Sequence, residues 1–184
     1  MAADETLFSR KRILQDSAAV LGHFSPIKRL HMPGSTTLAR WIATWFGVGR
    51  APIAPGTAGA IAALPMHWLL MQAGAALEAI SIVTICCLGV WSAEITQQAM
   101  GEEDPQIVVV DEVAGMLIAL LATGNDLSAQ MIAFVAFRIF DIFKPWPINR
   151  LEHLSHNGLA IMADDILAGV FAALCVGTWL WLSR

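Results

Sequence analysis

Between Phe137 and Ile148 an apolar run carries Arg138, Asp141 and Lys144 at three-residue intervals and then meets Pro145 and Pro147. Charges in apolar surroundings need partners, because an unpaired ion away from water is strongly destabilising. At helical spacing Arg138 and Asp141 share one face, while Ile139, Phe140, Ile142 and Phe143 cover the other sides. The prolines end such a helix near Lys144, since proline lacks the amide donor and disfavours helical geometry in the residue before it. Two readings follow: an internal ion pair between Arg138 and Asp141, or a site that holds something charged.

The surroundings are those of a membrane protein. Hydrophobic residues make up 57% of the chain and charged ones 14%, against about 45–50% and about 25% in soluble domains, and the mean hydropathy is +0.62. Seven of the 11 basic residues (Arg10, Lys11, Arg12, Lys28, Arg29, Arg40 and Arg50) fall in the first 50 positions. That end is expected to stay cytoplasmic. Arg10-Lys11-Arg12 is not followed by a continuous apolar stretch, so no signal peptide and no export are expected, nor is a nucleic-acid partner. Cys86, Cys87 and Cys175 lie in apolar runs without metal-type spacing, which predicts packing roles.

The expected fold is all-α: a compact helical bundle partly embedded in the membrane, with a flexible basic N-terminal tail at 1–35 that can form an amphipathic surface helix, and a single helical domain at 36–184. Helical stretches are expected at about 58–72, 75–98, 107–123, 129–143 and 160–182. The second and fifth approach the roughly 20 residues a spanning helix needs. Gly47 to Gly59 holds too many glycines and prolines for a regular element and reads as a loop that opens a helix near Pro55-Gly56-Thr57. Ile107–Val110 reads as helix entry, with no strand nearby to pair with it. His67 and the tryptophans suit interfacial or packing positions.

The chemistry-bearing residues concentrate in the second half. Asp111-Glu112 interrupts an apolar run, with Gly115 and Ala119 stacked behind Asp111 so that another helix can approach. Asp164-Asp165 is expected to open the last helix, where a capping role explains one carboxylate and not two. Acidic residues outside these positions are expected at ends or in loops. Carboxylates gathered in apolar surroundings repel and take up protons unless a cation sits among them. All-oxygen ligation favours a hard ion such as Mg2+. Arg138, Lys144 and Arg50 would then face an anion, phosphate being the one that fits a guanidinium fork, and the amides at Gly56 and Thr57 can cradle an oxyanion. Metal plus phosphate points to phosphoryl transfer. Glu152, His153 and His156 read either as polar loop residues or as partners in proton transfer.

Four ordered motifs carry a resemblance running from about Trp41 to the end of the chain: Gly47-x-Gly49-x-x-Pro52-x-x-Pro55-Gly56-Thr57, Val110-Asp111-Glu112-x-x-Gly115, Phe137-Arg138-x-Phe140-Asp141-x-x-Lys144-Pro145-x-Pro147-Ile148, and Gly158-x-x-Ile161-Met162-x-Asp164-Asp165-x-x-Ala168-Gly169. Together they resemble the phosphatidylglycerophosphatase A family, with departures at Ala60, Asn157 and Ala160. The resemblance implies a Mg2+-dependent phosphatase of the bacterial cytoplasmic membrane that converts phosphatidylglycerophosphate to phosphatidylglycerol. Its active site is expected on the cytoplasmic side. Asp111, Glu112, Asp141, Asp164 and Asp165 are the expected metal ligands. Asp111, Asp141, Asp164, Asp165 and Arg138 are the expected catalytic residues; Arg138, Lys144, Arg50, Thr57 and Gly56 would bind substrate. A metal-activated water is the expected nucleophile, with an aspartyl-phosphate as the alternative. Two rivals stand beside this reading: a small cation-coupled transporter, whose intramembrane carboxylates would mark an ion path, and a CDP-alcohol phosphotransferase, whose aspartate series is absent here.

Overall fold

A computed structural model describes residues 34–151 and 157–183. The expectations for the N-terminal tail up to residue 33 and for Glu152, His153 and His156 lie outside these residues. Within them the chain is all helical, in the order α1 (Gly34–Ala43), a 3-10 turn (Val48–Arg50), α2 (Pro55–Ala73), α3 (Ala75–Met100), α4 (Val110–Leu120), α5 (Leu127–Phe143), α6 (Ile148–Leu151) and α7 (Gly158–Leu182). No strand occurs among the described residues.

The five expected helical stretches are found, with shifted ends. Gly47–Gly59 is less irregular than expected: Gly47 turns at φ 99°, a 3-10 turn follows, and Pro55 already occupies the first turn of α2. Proline suits that position because its missing amide has no helical partner there. Ile107 to Val109 run without helix or strand geometry, held by the Val109 amide donating to the Ala43 carbonyl at 2.9 Å, so helix entry falls at Val110. Asp164-Asp165 does not open the last helix. Asn157 caps α7, its side chain accepting from the Ala160 amide at 3.1 Å, and the two aspartates stand in its second turn. A cap therefore explains neither carboxylate. At the other end of the charged run α5 stops as expected, with Lys144 left-handed at φ 41°.

The short α4 is the axis of the bundle. It is buried on every side, from Val110 through Leu120, as a helix apolar all round must be, and α2, α3, α5 and α7 pack around it. Its closest neighbour is α7. A Cβ on Gly115 would meet the Asp165 carbonyl and the Phe137 ring, and one on Gly169 would meet the Gly115 carbonyl. The helices therefore touch backbone to backbone, the close approach that small residues allow between apolar helices. Asp111 and Asp165 each stand one turn N-terminal to these glycines, so the crossing brings their side chains together.

Two helices are long and apolar enough to cross a membrane, Ala75–Met100 at mean hydropathy 1.8 and Gly158–Leu182 at 2.1. They expose Ile80, Val83, Leu174 and Trp181 outward. Cys86 is half-buried, but Cys87 and Cys175 are exposed, so the packing role expected of the cysteines holds only for the first.

Candidate active site

The starts of α2, α4 and α7 and the end of α5 converge on one cavity of about 460 Å3. Its lining comes from Pro55 and Gly56 on α2, Asp111 and Glu112 on α4, Arg138, Asp141, Ile142 and Lys144 at the end of α5, and Asn157, Ala160, Ile161, Asp164 and Asp165 on α7. Glu103, Asp104, Gln106 and Val108 close it from the segment before α4. Three of the four sequence motifs meet here through their charged residues, and the first through Pro55-Gly56. Thr57 and the exposed Arg50 do not line the cavity.

Asp111, Glu112 and Asp165 each place one carboxylate oxygen within 4.8 Å of the others. Burial pushes the Asp111 carboxyl well above the ordinary carboxylate range, with the charges of Glu112 and Asp165 adding to the effect. Burial raises Glu112 as well; a hydrogen bond shared with the Asp111 carboxyl opposes this, Asp141 adds repulsion, and Arg138 opposes it more weakly. Both positions lie in the first turn of α4, where the helix dipole favours negative charge, yet desolvation wins because Asp111 is only 7% exposed. Asp111 Oδ1 accepts from the Glu112 amide at 3.0 Å, but Glu112 Oε2 is enclosed and has no hydrogen-bond partner. A buried carboxylate oxygen without a donor, beside two further carboxylates, fits a metal ion. The group can hold one.

The remaining two expected ligands already have cationic partners. Asp141 Oδ2 contacts Arg138 Nη1 at 2.5 Å, and Asp164 Oδ2 accepts from Lys144 Nζ at 2.6 Å. The Arg138 contact is ionic without the alignment of a hydrogen bond, since Nη1 and Nε of that guanidinium are buried and unpaired as donors. Gly56 lies against both sides of the site: a Cβ there would strike Glu112 Oε1 and sit 3.4 Å from Arg138 Nη1. A side chain at residue 56 would make the Glu112 carboxylate shift, so glycine leaves that carboxylate undisturbed against the start of α2.

The acidic residues outside the site are expected at ends or in loops; Glu78 fits that expectation and Glu94 contradicts it. Glu78 in the first turn of α3 is buried against His67, with Nδ1 and Oε1 2.6 Å apart. Glu94, well inside α3, accepts from the Gly158 amide at 2.5 Å and so holds the start of α7. Glu94 carries no sequence motif; the signal available was a carboxylate in the interior of a largely apolar helix, six residues before its end, with a glycine able to receive it at the start of the last one.

The family description "Phosphatidylglycerophosphatase A" matches residues 41–179, three quarters of the chain. The chain belongs to that family. A phosphatidylglycerophosphatase A of Escherichia coli K12 is 41% identical over 133 residues, 72% of this chain and 77% of the relative. One of Haemophilus influenzae is 35% identical over 156 residues, 83% and 93% of the two chains. A Bacteroides thetaiotaomicron protein described as a putative phosphatidylinositol-3-phosphatase is 39% identical over 149 residues, 77% and 92%. No solved structure matches. Membership of the phosphatidylglycerophosphatase A family makes the protein a phosphatase, and its acidic group is compatible with a divalent cation.

Proposed function

We propose that the protein is a Mg2+-dependent lipid phosphatase of the bacterial inner membrane, hydrolysing phosphatidylglycerophosphate to phosphatidylglycerol and phosphate, with its active site on the cytoplasmic side. The observation that carries this reading is the pairing of opposite orphans in one cavity. Glu112 Oε2 lacks a donor while Arg138 Nε lacks an acceptor and Nη1 has only its unaligned ionic contact with Asp141, and both groups lie beside Gly56. Asp111, Glu112 and Asp165 would hold the cation; bound there, it supplies positive charge to the phosphoryl oxygens and makes a water acidic enough to attack phosphorus. Arg138 binds the phosphate with its unpaired donors, which are already dehydrated and so interact strongly with an anion. Asp141 fixes the Arg138 side chain from below, and Asp164 likewise fixes Lys144, whose ammonium adds a second positive charge at the wall. The first-turn amides of α2 at Gly56 add partial positive charge on the same side.

The placement favours hydrolysis over ion transport. The helical carboxylates of the cavity sit in the first turn of α4, the second turn of α7 and the last turn of α5, at one end of the bundle, and do not line a path along it. The test is phosphate release from phosphatidylglycerophosphate in mixed micelles, with EDTA and after Mg2+ is restored, and with phosphatidylinositol 3-phosphate as the competing substrate. Turnover that disappears with EDTA, returns with Mg2+ and prefers phosphatidylglycerophosphate is expected. Full turnover without metal, or preference for the inositol lipid, would overturn it.

A further inference from the structure

The acyl chains of the proposed substrate cannot share the cavity with its headgroup. The cavity holds about 460 Å3; if each methylene takes roughly the volume of a water, about 30 Å3, two chains of about sixteen carbons need about 1000 Å3. Most of the lining is charged besides. The chains must leave across a wall that is both apolar and open. Of the large branched apolar side chains in the lining, Val108 and Ile161 are buried, whereas Ile142 is 65% exposed. Ile142 is thus apolar surface shared by the cavity and the exterior.

From Ile142 the outward face of α5 continues away from the site through Ile139, Val135, Met131 and Leu127, all exposed and each about one helical turn from the next. At 1.5 Å per residue this stripe is about 22 Å long, more than half of a hydrocarbon core of about 30 Å. Other helices also expose apolar side chains, but among the lining residues Ile142 alone joins such a stripe to the cavity. We propose that the stripe is the track on which the substrate's acyl chains lie while the phosphate reaches Arg138, so that α5 carries the phosphate ligand and the lipid guide on one helix. This rests on the reading of a phospholipid substrate.

The experiment compares long-chain phosphatidylglycerophosphate in nanodiscs with its water-soluble dihexanoyl analogue. It uses wild type, the double variant Val135→Ser with Ile139→Ser, and a control, Ile80→Ser with Val83→Ser, on the exposed face of α3. The ratio of kcat/KM for long over short chains should fall about tenfold in the α5 variant and stay unchanged in the α3 variant. If the serine variant does not fold, Val135→Ala with Ile139→Ala replaces it, with a smaller fall of about threefold expected. An unchanged ratio overturns the track, and an equal fall in the α3 control assigns the stripe to bulk bilayer and overturns it too. Wild type that hydrolyses neither lipid sinks the functional reading, and the track with it; turnover of both lipids with no shift in ratio sinks the track alone.

Discussion

Replacing Asp111 by Asn should stabilise the cation-free protein while abolishing its activity. Three carboxylates with oxygens within 4.8 Å of one another repel by about 3.5 kcal/mol per ionised pair at an effective dielectric of about 20. Asp111 takes part in two of the three pairs, so full ionisation would cost about 7 kcal/mol through this residue. Protonation limits that cost. At pH 7 a carboxyl of ordinary pKa about 3.9 can be held neutral for about 4 kcal/mol, which bounds the gain from a side chain that is never charged. Asparagine can keep both contacts with Glu112: its Oδ1 still accepts from the Glu112 amide, and its NH2 can donate to the Glu112 carboxylate with which the Asp111 carboxyl shares a hydrogen bond.

The sign with pH follows from the direction of the Asp111 shift. A carboxyl raised in the folded state binds its proton more tightly there than in the unfolded chain, so stability is greatest below the ordinary carboxylate pKa and declines as pH rises from about 4 toward the raised value. Asp111→Asn should flatten that decline. Thermal unfolding in detergent with EDTA, followed by the fluorescence of the seven tryptophans, should place the variant about 1–4 kcal/mol above wild type, roughly 3–15 °C in Tm for a chain of this size. Mg2+ should shrink that difference, because wild type gains about 2.7 kcal/mol at one hundred times Kd and about 4.1 at one thousand times, while the variant, missing a ligand, gains less. A variant that is less stable than wild type in EDTA would refute the repulsion argument.

Arg138→Lys keeps the charge but loses the planar fork, so turnover should fall about 100-fold while the melting free energy moves by no more than about 1 kcal/mol; a large stability loss with turnover per folded molecule intact would make the residue structural. Glu94→Ala removes the acceptor of the Gly158 amide and should weaken Mg2+ binding about tenfold by loosening the start of α7, with Glu94→Gln recovering most of it. Titration of Mg2+ against the three proteins checks this, and equal affinities would show that α7 needs no such anchor.

The charged half of the site was legible because charge in apolar sequence is improbable without purpose. Arg138, Asp141 and Lys144 at three-residue spacing, and two acidic pairs in otherwise apolar helices, named the residues that line the cavity. Their division of labour was not legible. Five carboxylates looked equivalent, whereas Asp141 and Asp164 are engaged by Arg138 and Lys144 and leave Asp111, Glu112 and Asp165 as the open group. Spacing along the chain cannot reveal that, because it depends on how α4 crosses α7. The glycines of that crossing were visible, and Gly115 was read as a place of helix approach, but its partner near Asp165 and Gly169 was a matter of tertiary packing. Arg50 and Thr57 were drawn toward the site by motif adjacency; one full residue past Gly56 the helix has already turned away.

The electrostatics of the lining explain why an arginine could remain buried with unpaired donors beside so many acids. Seven carboxylates and two basic side chains line the cavity, so without a cation the lining would repel the phosphate that the proposed reading places on Arg138. Rotating Arg138 fully onto Asp141 would satisfy the guanidinium and remove the proposed anion site. The i,i+3 contact instead spends one carboxylate oxygen on an unaligned ion pair and leaves Nε without an acceptor and Nη1 without an aligned one. Phosphate affinity in such a cavity must depend on how much of the acidic charge is neutralised, and by linkage the acidic group must bind its cation more tightly when phosphate is present. The same negative lining favours departure of a product anion once neutralisation is relaxed. On the proposed reading, binding and release would be set by the balance between Asp111, Glu112 and Asp165 on one wall and Arg138 on the other, with Gly56 keeping the two walls close enough to feel each other.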